Sequence, residues 1–327
     1  MHKTIAYSLA LLVAVLAPFI GYPVFLAKLL CFALFASAFN LLIGYTGLLS
    51  FGHAAFFGAA GYVAGNVMKV WGWPVELGML AGAAAGALIG LLMGALAIRR
   101  QGIYFSMITL ALAQMVYFGA LRAGEFTGGE DGLQGVPRGK LLGMIDLGND
   151  IALYFFVLAV AVLAFMLIVR TVHSPFGQVL KAIKENEARA ISLGYDVDRY
   201  KLLAFVLSAA LTGLAGATNT LVQGFETLTD VHWSMSGLVI LMTLVGGMGT
   251  LAGPMLGAML IIALENKLGD LGIALAASTG IEWFNTIGEA VSMVTGLIFI
   301  ACVLLFRRGI IGEIIARLPT AANKTAS

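Results

Sequence analysis

About ten apolar runs, separated by short polar interruptions, follow one another along almost the whole chain. They cover roughly residues 5–21, 24–43, 48–69, 76–98, 103–122, 151–170, 202–222, 234–247, 250–266 and 286–306. Most approach the ~20 residues a helix needs to cross the hydrocarbon core of a bilayer. Backbone polar groups in lipid must be satisfied within the segment, so such runs are helices. The pattern therefore predicts an all-α fold, a polytopic transmembrane helix bundle of about ten spans. The runs 234–247 and 250–266 are short and separated by Gly246-Gly247-Met248-Gly249. They are expected to form Gly-interrupted or re-entrant segments. Residues 1–327 read as a single transmembrane domain with one large loop, 171–201, inside it. Residues 5–21 read as a retained first helix. They lack a small-x-small cleavage site before a polar mature region, and the next apolar run begins at Val24.

Composition sharpens the picture. Hydrophobic residues make up 60% of the chain and charged residues 11%, too little charge to keep a soluble surface of this size in water. No long polar stretch could form a nucleotide-binding domain. Basic residues gather at Lys3, at Arg99-Arg100, between Arg170 and Lys201, and at Arg307, Arg308, Arg317 and Lys324. The segments 71–76 and 223–233 carry no Lys or Arg, and the latter holds Glu226 and Asp230. One alternation of spans puts all the basic sites on the same side. Positive charge marks the cytoplasmic side, so both termini are expected in the cytoplasm.

Enzyme chemistry is not readable. The lone Gly-Lys pair, Gly139-Lys140, has Gln134 where a phosphate loop needs Gly and Leu141 where it needs Ser or Thr. His-Glu-x-x-His and Gly-x-Ser-x-Gly patterns do not occur. Cys31 and Cys302 lie in apolar runs, and His2, His53, His173 and His232 are scattered. No cofactor or metal is expected in this chain. The ladder Gly82, Gly86, Gly90 and Gly94 predicts close helix packing. Gly44 to Ser50 echoes Gly246 to Ala252, which suggests an internal repeat with Gly-interrupted segments at matching positions.

The loop 171–201 predicts one amphipathic helix. Ser174-Pro175 starts it, and Gly194 ends it. Val179, Leu180, Ile183, Ala188, Ile191 and Leu193 fall on one face; Gln178, Lys181, Lys184, Glu185, Glu187 and Arg189 fill the other. Such a helix either lies on lipid headgroups or docks in a groove of a cytoplasmic partner. Glu185 and Glu187 suit an anionic leaflet poorly, which favours docking. Candidate pathway groups are Asn40, Ser50, His53, Gln114 and Glu289, polar positions near or inside apolar runs. Helix–helix hydrogen bonding explains Asn40, Ser50 and Gln114 equally well. Gly44, Gly47, Gly246 and Gly249 join the candidates as interruptions where freed backbone groups could meet substrate. Glu289 is the one carboxylate expected near a span.

Several segments carry a resemblance. They are Asn40 to Ala54 (NLLIGYTGLLSFGHA), Gly102 to Phe105, Thr127 to Pro137, Lys181 to Glu187, and Gly246 to Pro254. In this order and spacing the chain resembles the branched-chain amino acid permease family of ATP-binding-cassette importers, of the LivM type, over about residues 35–310. Glu130 departs from the family's small polar residue. The resemblance implies a membrane-spanning permease subunit for leucine, isoleucine, valine or related hydrophobic amino acids. It assigns ATPase docking to Lys181, Lys184, Glu185, Asn186, Glu187, Ala188 and Gly194. It implies a second related permease in a heterodimer, two cytoplasmic ATPase subunits that bind ATP and Mg, and an extracytoplasmic binding protein. It places the assembly in a bacterial plasma (inner) membrane. A urea or short-chain amide permease shares the same motifs, and an ion-coupled secondary transporter would share the bundle.

Overall fold

The computed structural model describes residues 12–279 and positions 296, 297, 300, 309, 310, 312 and 313. Ten helices of six residues or more carry the described fold: α1 (Pro23–Thr46), α2 (His53–Lys69), α3 (Val75–Ala97), α4 (Ile103–Arg122), α5 (Asp150–His173), α6 (Pro175–Glu185), α7 (Glu187–Ser192), α8 (Val197–Gln223), α9 (Trp233–Gly246) and α10 (Gly253–Thr279). Two short strands, β1 (Lys140–Leu141) and β2 (Ile145–Asp146), pair antiparallel. The fold is a helix bundle, as the sequence pattern predicts.

Helix α1 is its axis. Pro23 opens it with a preset φ, and Gly47 closes it in the left-handed region at φ 77. Every residue from Leu30 to Leu42 is buried, as expected for a helix apolar on all sides. Around it pack α5, α8, α9 and α10, and α2 meets it through the Phe57 ring, which lies against Phe32 and Phe35. Helices α3, α4 and α5 turn large apolar side chains outward, among them Leu80, Leu92, Leu96, Met107, Met115 and Leu163. That outer surface belongs in lipid, where it costs nothing to expose.

Five described helices, α1, α3, α4, α5 and α8, are long and apolar enough to cross a membrane. The expected count of ten is not reached within the described residues. Most of the predicted span 286–306, with Glu289, lies outside them, as do residues 5–11 of the first predicted run. Helix α9 has only 14 residues. The predicted run 48–69 begins late, at His53. Gly47 has already reversed the backbone, and the Ser50 hydroxyl accepts a hydrogen bond from Gly52 N at 3.1 Å, a local bond that competes with helix. The run expected to stop at 266 continues instead to Thr279.

The glycine ladder does what its spacing predicts. A Cβ at Gly86 would meet Ala209 O at 2.6 Å and Gly213 Cα at 2.9 Å, and one at Gly82 would meet Ala217 at 2.6 Å. Close backbone approach thus joins α3 to α8. Loop 123–150 is stitched down as well. Leu133 and Glu226 exchange both backbone hydrogen bonds at 2.9 Å, and Val136 N donates to Gly224 O at 2.8 Å. Arg138 bonds Asp150 at 2.7 Å and Val222 O at 3.1 Å.

Candidate docking segment and the polar groups behind it

The loop between α5 and α8 starts as expected. Ser174 caps α6, accepting from Gly177 N, with Pro175 in the first turn. It then departs from expectation, because the single predicted helix is two. Asn186 is extended, at φ −158 and ψ 97, and its side chain accepts from Arg189 N at 2.9 Å to cap α7. Asn competes well as a cap and poorly as an interior helical residue. The break changes which side chains face inward. Leu180 and Ile183 of α6 remain buried, and Ile183 meets Ala190 and Val197. Ile191 and Leu193, expected on that same inward face, are 57% and 69% exposed. Ala188 is exposed beside them, and Tyr195 is 40% exposed. Gly194, at φ +87, ends α7, as predicted. The outcome is a short helix showing an apolar facet outward, flanked by exposed Glu185, Asn186 and Arg189.

Internal ties fix this segment to the bundle. Lys184 Nζ donates to Gly44 O at 2.7 Å, at the end of α1. Lys181 lies over the Tyr45 ring, 5.8 Å from its centroid. Glu187 Oε1 accepts from Lys201 Nζ at 2.7 Å and from Gln101 Nε2 at 2.8 Å. The Lys201 side chain is 3% exposed and that of Glu187 26%. Glu187, read from sequence as an outward polar residue, faces a buried cation. Sequence reasoning missed Lys201 and Gln101. The available signal was a lysine opening an apolar helix fourteen positions after an acid.

The two echoing glycine turns meet. Asn40 Nδ2 donates to Thr250 O, and Asn40 Oδ1 accepts from Gly249 N, both at 2.8 Å. A Cβ on Gly44 would sit 2.9 Å from Gly249 N, so glycine at 44 is required for the approach. Gly246 packs its backbone against Gly253 and Gly257. Lys184, Gly44, Asn40 and Gly249 therefore form one junction, with Gly47 beside the Lys184 stem.

Ser50 and His53 sit elsewhere, and both are fully buried. His53 Nε2 lies 2.9 Å from Ser208 Oγ, which donates to Ala38 O at 2.6 Å. The rings of Phe39 and Phe56 stand edge-on to the imidazole. Gln114 is half-buried on α4.

Glu289 lies outside the described residues, and within them a different acid is buried. Glu226, read as part of an external acidic loop, is 0% exposed. Thr220 Oγ1 donates to its Oε2. Burial, then the negative charge of Asp230, pushes the Glu226 carboxyl well above the usual carboxylate range; the Thr220 hydrogen bond opposes them. Above the ordinary value of 4.5 the unfolded chain releases this proton while the folded chain keeps it. The stability linked to it is full below that value and declines as pH rises toward the folded pKa, by up to ~1.4 kcal/mol per pH unit. Purified protein should therefore melt lower at pH 8 than at pH 5, and Glu226→Gln should flatten that slope. Equal slopes in the two proteins would show that Glu226 is not the proton holder.

Comparison with known proteins gives a consistent set of likenesses. A family model described as the branched-chain amino acid transport system permease component matches residues 23–306. The chain is 29% identical over 257 residues to the high-affinity branched-chain amino acid transport system permease protein LivM of Salmonella typhimurium, covering 71% of this chain and 60% of that one. It is 25% identical over 278 residues to the probable branched-chain amino acid transport permease protein LivH of Methanocaldococcus jannaschii, covering 82% and 84%. It is 30% identical over 192 residues to the autoinducer 2 import system permease protein LsrC of Klebsiella pneumoniae, covering 57% and 53%. The chain thus spans about three-fifths of the length of the LivM relative.

Proposed function

The chain belongs to the branched-chain amino acid transport system permease family, and from that premise we propose that it forms part of the substrate path of an ATP-driven importer for branched-chain or related hydrophobic amino acids. It is a multi-pass membrane permease component. In this reading a second related permease completes the path. Two cytoplasmic ATPase subunits bind ATP and Mg and dock on α6–α7. A binding protein delivers substrate to the side of loop 123–150. The membrane is a bacterial inner membrane, with both termini and the α6–α7 segment in the cytoplasm.

The observation that carries this reading is the outward apolar facet of Ala188, Ile191, Leu193 and Tyr195, held on an internally braced segment. An apolar facet with a polar rim is what a docking helix presents to a groove. Its ties supply two routes for force. A push on α7 reaches the foot of α8 through Glu187–Lys201. A push on α6 reaches Gly44 through Lys184, and from there the Asn40–Gly249 contact.

The test is Ile191→Glu together with Leu193→Glu. Both side chains are exposed, so membrane insertion and melting temperature should hold. ATPase retention on the purified permease should fall at least tenfold, with uptake falling in parallel. Undiminished ATPase retention would remove the docking role. Leucine uptake by the permease without any ATPase would favour the ion-coupled alternative. The autoinducer 2 import relative supports a competing reading in which the substrate is not a branched-chain amino acid. Competition of labelled leucine uptake by valine, urea and ribose would decide between them.

A further inference from the structure

Among the described residues, the buried side-chain polar atoms without a hydrogen-bond partner are His53 Nδ1, Tyr62 Oη, Thr212 Oγ1, Asn219 Oδ1 and Glu226 Oε1. Each belongs to α2, to α8, or to the turn that directly follows α8. Folded proteins keep few such groups, and a group left unsatisfied asks for an explanation. Here they gather at one helix–helix seam rather than scattering through the bundle.

The seam itself is made of small residues. Gly213 packs against Ala60, Gly216 against the Phe57 carbonyl, and Gly61 against Thr220 and Glu226. Its end at Glu226 lies under loop 123–150, where Gly132 crowds the Glu226 carbonyl and Leu133 pairs with Glu226 through the backbone. Among the described residues no ion pair reaches Glu226. The charged neighbour that acts on it is another acid, Asp230. A buried carboxyl with a free oxygen, a nearby acid and, among the described residues, no ion-pair partner becomes, once uncovered and ionised, a receptor for a cation from outside.

We propose that the substrate path opens along the α2–α8 seam, and that Glu226, at its outer end, receives the ammonium group of a zwitterionic amino acid. This rests on the amino acid importer reading above and adds the residues that would recognise the substrate's charge. The present conformer is the closed one, with the seam shut and loop 123–150 over its end. Lifting that loop breaks the Leu133–Glu226 pairing and uncovers the carboxylate. As the helices part, water and then substrate satisfy Tyr62, Asn219, Thr212 and His53 in turn.

The experiment uses the complete transporter in proteoliposomes, with leucine as probe. Glu226→Gln should lower leucine uptake at least thirtyfold, while assembly and binding-protein stimulation of ATP hydrolysis persist. Tyr62→Phe removes a hydroxyl that bonds nothing in the closed state. It should lower uptake severalfold without lowering the melting temperature, a split that a structural role would not produce. Thr212→Cys, in a Cys31→Ser and Cys302→Ser background, should react with a charged, water-soluble thiol reagent only during ATP turnover, and leucine should slow the reaction. Wild-type leucine uptake by Glu226→Gln, or a Cys at 212 that stays unlabelled during turnover, overturns the proposal. If Glu226→Gln fails to assemble, the Tyr62 and Thr212 variants decide. A wild-type transporter that moves no branched-chain amino acid overturns the importer reading and this one together. A leucine-transporting wild type with an unaffected Glu226→Gln overturns this one alone.

Discussion

Glu187→Ala will destabilise the α6–α7 segment by about 2–3 kcal/mol and loosen it from the bundle. Removing one member of a fully buried pair costs about 3–5 kcal/mol, because the other charge is stranded. The lower figure reflects a carboxylate that is 26% exposed and so is partly screened by water. The stranded group would be the Lys201 ammonium, 3% exposed at the start of α8. Hydrogen exchange should accelerate across 175–201 in the single variant. Glu187→Ala combined with Lys201→Met should recover most of the loss, since an apolar side chain can fill the site without a partner. An unchanged melting temperature in Glu187→Ala would show that the pair contributes nothing. A consequence follows for coupling studies. Lost uptake in a Glu187 variant reports bracing and docking together, whereas Ile191 and Leu193 report docking alone.

Gly216→Leu is expected to prevent assembly of the bundle, and even Gly216→Ala should cost roughly 2–3 kcal/mol through overpacking. The reason is local. A Cβ at 216 would land on the Phe57 carbonyl and within 3.0 Å of Phe57 Cα. Backbone cannot rotate aside as a side chain can, so α2 and α8 would have to separate. Gly237 on α9 is the control, with nothing within 4 Å of its would-be Cβ. Gly237→Ala should be neutral or slightly stabilising, because alanine is the better helix former by about 1 kcal/mol. Melting curves in one detergent compare the two substitutions directly. Similar losses at both positions would mean that helix propensity, not the closeness of α2 and α8, sets the effect.

Much of the bundle was legible because a bilayer imposes a length. Helices α1, α3, α4, α5 and α8 fall within a few residues of the apolar runs that predict them. The ladder from Gly82 to Gly94 was legible because in lipid little besides close backbone packing rewards glycine at every fourth position. The break at Asn186 was not. Apolar spacing continues smoothly across it, and only the cap geometry decides whether Asn stays in the helix. The depth of Glu226 was hidden for a different reason. Its neighbours in sequence are polar and loop-like, and its burial comes from Gly61, Gly132 and Leu133, all more than ninety positions away. Pairing across that distance leaves no periodic trace. The echo of the two glycine turns was visible, and the structure adds that the turns touch.

That touch has a mechanical meaning. The Asn40 carboxamide grips a donor and an acceptor on adjacent residues of the far turn, Gly249 and Thr250. Two such bonds from one planar group resist twisting as well as pulling. The lower part of α1 and the corner between α9 and α10 must then rock as a single plate. Whatever gate the molecule has is forced to hinge along some other line.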